Sequence, residues 1–240
     1  MGDADNDEVP VPAIELVIFD IAGTLIEDTG QVINTFATAF RKHAIRVSDG
    51  EVRMLHGASK REVFKHYIER QFGQGDPGNN DRIDRAYGDF RRILEETYER
   101  EGVRAIAGAA STLRWLRDHG MKIALHTGFY RKVTEIIFRS LDWREGSVDA
   151  VICGDEVPRG RPAPYMIFRA MEATGVMDVH RVAAVGDTPL DLLAGSHAGI
   201  RGVVGVLSGS HGIESLGRVY HTHIIPSVAE LPALLESAFG

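Results

Sequence analysis

Cysteine is close to absent from this chain. Its one thiol, Cys153, rules out an intramolecular disulfide framework and suits a reducing, cytoplasmic setting. Basic charge is not in surplus either: 27 Lys and Arg stand against 34 Asp and Glu, a formal net charge of -7. That balance argues against nucleic acid as a partner, which needs a broad basic surface, while leaving room for a local basic pocket. No apolar run approaches the ~20 residues that span a bilayer, so no membrane segment is expected. Residues 1–8 are acidic and polar, without the basic start and apolar run of a signal peptide. Residues 1–12 read as a flexible tail closing on Pro10 and Pro12. There is no internal repeat and no low-complexity tract. What remains is ordinary: 240 residues, 44% hydrophobic and 25% charged, enough for one large α/β domain or a core with a smaller companion.

The chain is organised around Ile14-Glu-Leu-Val-Ile-Phe-Asp-Ile-Ala-Gly-Thr-Leu-Ile26. Ile14 and Leu16 to Phe19 form an apolar, β-favouring run too short for a helix, and it stops at Asp20. A carboxylate ending a central parallel strand stands at the edge where open α/β sheets bind ligands. Asp20 is placed to ligate Mg²⁺ or attack phosphorus, or simply to cap the strand in a turn. Helical periodicity then predicts helices over Gln31–His43, Glu51–Leu55, Lys60–Arg70 and Asp81–Arg100, with a Gly- and Asn-rich loop over Gly73–Asn80. From Ala109 short apolar runs alternate with helices. Strands are expected at Lys122–His126, Ala150–Cys153, Val182–Val185, Gly202–Val206 and Ile224–Ile225, and a last helix over Val228–Ala238. Strands joined by helices imply right-handed crossovers and a parallel sheet covered on both faces. The expected fold is therefore α/β: a Rossmann-like core of residues 13–28 and 105–240, with an all-helical insert over residues 29–104.

In such a sheet the residues just beyond different strands converge. His126-Thr127-Gly128 follows one strand; the Thr127 hydroxyl and Gly128 amide can donate to a phosphoryl oxygen, or Thr127 can form an ST-turn. Arg159-Gly-Arg161-Pro-Ala-Pro164 follows another, with Pro162 and Pro164 stiffening the backbone around Arg161. Arg161 carries a permanent charge and a fixed fork of donors, whereas Arg159 reads as a solvated loop charge. Gly186-Asp-Thr-Pro-Leu-Asp191 follows a third. Asp187 and Asp191 lie one helical turn apart and offer hard oxygen ligands for Mg²⁺ beside Asp20; Asp191 has the alternative of capping or orienting its neighbours.

The opening segment resembles the first motif of the haloacid dehalogenase superfamily, a hydrophobic strand followed by Asp-x-Asp-Gly-Thr. The resemblance runs from Ile14 almost to the end of the chain. It implies that Asp20 is the nucleophile of a Mg²⁺-dependent hydrolase forming an aspartyl-phosphate. It also implies that Thr127 binds the phosphoryl group, that Arg161 neutralises phosphate and pairs with Asp20, and that Gly-Asp-x-x-x-Asp carries the metal through Asp187 and Asp191. The second Asp of the motif, the acid/base of the family's phosphatases, is Ala22 here, leaving only a backbone carbonyl as a metal ligand. Asp-x-Ala-Gly-Thr is similar to the motif of the phosphonatase-like, phosphonoacetaldehyde hydrolase-related subgroup, whose leaving group is carbon. Gly-Arg-Pro-x-Pro resembles that subgroup as well.

C–P cleavage needs an electron sink, which a Lys imine on a β-aldehyde supplies. Lys60, in Gly57-Ala-Ser-Lys-Arg61, aligns with the subgroup's Schiff-base lysine, and Arg61 beside it is expected to lower its pKa. The competing reading is a cap cation that only contacts substrate, as in many capped phosphatases of the superfamily. His56, Val63 and Phe129 depart from the subgroup's Met, His and Tyr. His56 and His126 are candidates for substrate contact or acid/base work, or for structural roles. Three functions follow: phosphonatase-type hydrolysis, a phosphomonoesterase of a small phosphorylated metabolite, or a degenerate protein that only binds such a ligand. Closure of the insert is expected to hinge at Glu27–Gly30 and Gly102–Ile106. Apolar helices of the insert offer a surface for a homodimer.

Overall fold

The computed structural model describes residues 13–53, 56–141, 143 and 146–239. The expected tail, residues 1–12, and the end of the predicted helix at Leu55 lie outside them. Strand β1, Leu16–Phe19, is apolar and buried at every position because both faces of the sheet are covered. The remaining strands are β2 (Lys122–Thr127), β3 (Ala150–Cys153), β4 (Val182–Gly186), β5 (Gly202–Val206) and β6 (His223–Ile225). They form one six-stranded sheet in the order β3-β2-β1-β4-β5-β6, parallel at every pairing. The chain builds outward from β1 in one direction through β2 and β3, then in the other through β4, β5 and β6. The reversal opens a crevice between the carboxyl ends of β1 and β4, where α/β sheets take ligands.

Between β1 and β2 lie α1 (Gln31–Lys42), α2 (Asp49–Arg53), α3 (Lys60–Phe72), α4 (Asn79–Glu101) and α5 (Ala109–Asp118). The first four pack on an aromatic centre of their own. Phe36 lies 4.4 Å from Phe90 and 5.5 Å from Phe64, ring centroid to centroid, with Phe40 stacked on Phe36. Ile83, Ala86, Phe90, Leu94 and Tyr98 form the buried stripe of α4 at helical spacing. Helix α2 opens on Ser48, whose backbone amide and hydroxyl both donate to Glu51 Oε2. The loop before α4 is shorter than its composition suggests, because Asp76 caps the Gly78 amide and buried Asn79 donates to the Gly73 carbonyl. The two connections to the core run side by side: the Glu27 amide donates to Arg104, the Ile106 amide donates to Leu25, and Ile26 and Ala105 form an antiparallel bridge.

After β2 come α6 (Arg131–Ser140), α7 (Tyr165–Thr174), α8 (Pro189–Ala198) and a short α9 (Ile213–Leu216). The final predicted helix divides. Val228–Glu230 is a 3-10 turn closed by a Ser227–Glu230 capping box, and α10 runs over Leu231–Ala238. Pro232 has no amide hydrogen to donate and is tolerated only in a first turn, so the α-helix starts there.

Candidate active site

Asp20 leaves β1 with its amide donating to the Val185 carbonyl of β4 at 2.9 Å, which fixes the carboxylate at the crevice. Asp187 follows β4, and Asp191 lies in the first turn of α8. Carboxylate oxygens of all three lie within 4.8 Å of one another, and all three residues are buried. Such crowding needs positive charge. Arg161 supplies part of it, its Nη1 lying 2.8 Å from Asp20 Oδ1 and also bonding Asp191 Oδ1. Its Nη2 donates to the Gly57 carbonyl at 3.0 Å, so one guanidinium ties the sheet edge to the helical insert.

Asp187 Oδ2 accepts from the Ser210 amide and hydroxyl at 2.8 and 2.9 Å. Its Oδ1 is buried without a hydrogen-bond partner. Burial, then the Asp20 charge, pushes the Asp187 carboxyl up to about 6. The backbone around it leaves no room for side chains: a Cβ on Gly23 would stand 2.5 Å from Asp187 Oδ2, and one on Gly209 still closer. An unpartnered carboxylate oxygen facing a second carboxylate fits a small oxygen-seeking divalent cation. Asp20 and Asp187 are free to ligate it, with the Ala22 backbone beside them. Asp191 is differently engaged. Its Oδ2 accepts from the Thr188 amide at 3.0 Å and hydroxyl at 2.5 Å, completing the capping box of α8, and its Oδ1 holds Arg161. These bonds engage both of its oxygens.

Thr127, at the end of β2, accepts from the Phe129 amide through Oγ1 at 3.2 Å in an ST-turn and keeps its hydroxyl hydrogen for the crevice. Gly128 faces the loop before α3 so closely that a Cβ there would lie 2.8 Å from the Ala58 carbonyl oxygen. That loop carries Lys60 into the site. Lys60 is 5% exposed, its Nζ donates to the Ala58 carbonyl at 3.0 Å, and it stands 5.2 Å from the centre of the Phe129 ring. Burial, then the Arg161 charge, lowers its pKa to about 8. Arg61 does not do this, contrary to the expectation from sequence: it points outward and pairs with Asp84 at 2.6 Å.

Asp20, Ala22, Asp28, His56, Lys60, Thr127, Gly128, Arg161 and Asp187 line one chamber of about 20 Å³, room for little more than one water-sized group. Lys60 and Gly128 are shared with a larger cavity of about 550 Å³ bounded by α3, α4 and the loop after β3. His126 is not at the chamber. It is fully buried behind it, Nε2 3.7 Å from Asp191 Oδ1, and burial with the nearby Arg161 charge holds its pKa well below the usual value. A neutral imidazole without access to the crevice cannot touch substrate there, so that expectation is corrected. His56 does line the chamber, its Nδ1 3.0 Å from Asp28 Oδ2.

Sequence reasoning passed over Asp28, Thr188 and Ser210. Asp28 sat in a stretch read only as a hinge. Ser210 lies just beyond β5, so the strand-end rule that selected Thr127 and Asp187 would have reached it.

The sequence profile of haloacid dehalogenase-like hydrolases matches residues 17–205. The phosphonoacetaldehyde hydrolase of Bacillus cereus is 32% identical over 208 residues, 82% of this chain and 77% of that protein. The bifunctional phosphonoacetaldehyde hydrolase/aminoethylphosphonate transaminase of Clostridioides difficile is 31% identical over 208 residues, 82% of this chain; the match spans only 32% of that longer protein. A hydrolase from Pseudomonas syringae superposes with a TM-score of 0.82 at 21% identity, covering 94% of this chain and 100% of that one. A phosphonoacetaldehyde hydrolase-like protein from Oleispira antarctica does so with a TM-score of 0.80 at 22% identity, covering 94% and 92%. These two structures share the fold.

Proposed function

The chain belongs to the haloacid dehalogenase-like hydrolases, and on that premise we propose that it hydrolyses the C–P bond of a phosphonoacetaldehyde-type substrate with Mg²⁺ as its cofactor. The observation that carries this reading is the buried Lys60 amine in the chamber of Asp20, with Ala22 where a phosphatase of the family has its acid. Near neutral pH a useful fraction of that amine is unprotonated and able to attack a carbonyl. Lys60 adds to the aldehyde, water leaves, and an iminium forms. Asp20 then attacks phosphorus; the C–P bond breaks and its electron pair moves into the iminium, giving an enamine and an aspartyl-phosphate.

Arg161, Thr127 and the Gly128 amide hold the phosphoryl oxygens through this transfer. Asp20, Asp187 and the Ala22 carbonyl would hold Mg²⁺, which would offset the charge of the phosphoryl group against the carboxylates. Water cleaves the aspartyl-phosphate. The enamine carbon takes a proton, and hydrolysis returns Lys60. Residues 29–104 act as the cap that brings Lys60 over the sheet. A phosphomonoesterase is the second reading, favoured by an imidazole, His56, at the chamber.

The test is phosphate release from phosphonoacetaldehyde with Mg²⁺, with and without borohydride, read by intact mass. A reduced adduct mapped to Lys60 is expected, its yield rising with pH and levelling off above about 8, because the amine must lose its proton first. Lys60→Ala abolishes both adduct and C–P cleavage. Phosphate release only from esters, with no adduct, would transfer the assignment to the second reading.

A further inference from the structure

Both readings need a proton for the leaving group, and Ala22 cannot give one. We propose that His56 is the general acid/base of this site and that Asp28 orients it. His56 Nδ1 lies 3.0 Å from Asp28 Oδ2, and the two side chains are only 18% and 13% exposed. The other carboxylate oxygen, Asp28 Oδ1, accepts from the Gly30 amide at 2.9 Å, so the carboxylate is fixed from both sides. A carboxylate bound to one ring nitrogen sets the tautomer and leaves Nε2 for proton exchange. Both residues line the chamber that holds Asp20 and Lys60.

The other polar groups there have partners or roles of their own: Asp187 Oδ1, which has no partner, stands with Asp20 for the metal, and the Thr127 hydroxyl hydrogen is kept for the phosphoryl group. Asp20 pairs with Arg161, Asp187 with Ser210, Thr188 with Asp191, and Thr127 with the Phe129 amide. Lys60 is occupied as the imine. The charged and titratable groups around His56 are Asp28, the edge-on His211 ring at 6.1 Å, and across the chamber Lys60, Asp20, Asp187 and Arg161.

The inference rests on the hydrolytic reading only in requiring a leaving group. After C–P cleavage the His56 Nε2 proton passes to the enamine carbon, the enamine π pair forms the new C–H bond and restores the iminium, and neutral His56 then takes a proton from the water that attacks the aspartyl-phosphate. With an ester the same proton passes to the departing alkoxide as the P–O bond breaks.

The experiment follows phosphate release by wild type, His56→Gln and Asp28→Asn from about pH 5 to about pH 9. Phosphonoacetaldehyde and a small alkyl phosphate ester are the substrates, with borohydride trapping in parallel. His56→Gln is expected to lower kcat by about 10²–10⁴ with KM within a few-fold, to remove the alkaline limb of the pH profile, and to leave the Lys60 adduct in place. Asp28→Asn is expected to lower kcat with KM within a few-fold, and Asp28→Glu to recover part of the loss, because a carboxylate at this place orients the ring. Turnover by wild type with His56→Gln within tenfold of it, or with Asp28→Asn equal to wild type, overturns the dyad and leaves the hydrolytic reading standing. No phosphate from either substrate with wild type overturns both.

Discussion

Asp187 has an oxygen with no partner and a carboxylate for a neighbour, an arrangement that costs stability until a cation arrives. Its carboxyl is raised from 3.8 to about 6 by burial first and Asp20 second. An acid whose pKa is raised on folding imposes no penalty below its unfolded pKa. The penalty grows as pH climbs between the two values and is complete above the folded one, reaching about 3 kcal/mol on the order-of-magnitude scale. Asp187→Asn in chelator is therefore expected to unfold at higher denaturant than wild type at neutral pH, the gain fading toward about pH 4, while phosphate release is lost. Urea melts at several pH values with and without Mg²⁺ check this; equal midpoints for the two proteins at neutral pH would contradict it. Asp191, so close by, bonds Thr188 through one oxygen and Arg161 through the other. Its spacing from Asp187 was visible in the chain; its occupied oxygens were not.

At the scale of elements, the loop before α3 is what joins cap to core. It is seated by close backbone approach: a Cβ on Gly57 would stand 2.7 Å from the Thr188 side-chain Oγ1, and one on Gly128 2.8 Å from the Ala58 backbone carbonyl oxygen. Backbone does not yield as a flexible side chain does. Gly128→Ala is expected to displace the Lys60 loop and lower C–P cleavage on the order of 10²-fold. Helical content and the thermal midpoint should change little, since the Phe36–Phe64–Phe90 centre of the insert and the sheet are untouched. Circular dichroism beside phosphate release measures both, and activity equal to wild type would show that the loop is not held by this contact. The periodicity of α1 and α4 announced these helices, while Asn79 extended α4 by spending its side chain on the Gly73 carbonyl. Pro232 divided the last helix in the same local way.

In the whole molecule the chamber over Asp20 is too small for a phosphonate to enter as it stands, although a 550 Å³ cavity adjoins it at Lys60. The two connections to the core are bridged at Ile26 and Ala105, just outside Gly30 and Gly102 at positive φ, and a swing of the insert is expected about them. Solution scattering is expected to show a smaller radius with Mg²⁺ and a phosphate mimic such as vanadate than without them. Unfolding should also be opposed by about 2.7 kcal/mol once ligand reaches a hundred times its Kd. Identical scattering curves would mean that substrate reaches Asp20 without the insert moving.

The parallel sheet, its helical insert and most strand ends follow from the chain alone, because they depend on local signals: apolar runs, helical period, Gly and Pro. The motif residues Asp20, Thr127, Arg161 and Asp187 were legible for the same reason, each falling just past a recognisable strand or turn. Tertiary structure decided what those residues face. It turned Arg61 to solvent and placed Arg161 beside Lys60, hid His126 beneath α8, and set Asp28 against His56 across a gap of 28 positions in sequence. Burial and through-space charge depend on distances between segments remote in the chain, and no local pattern encodes them.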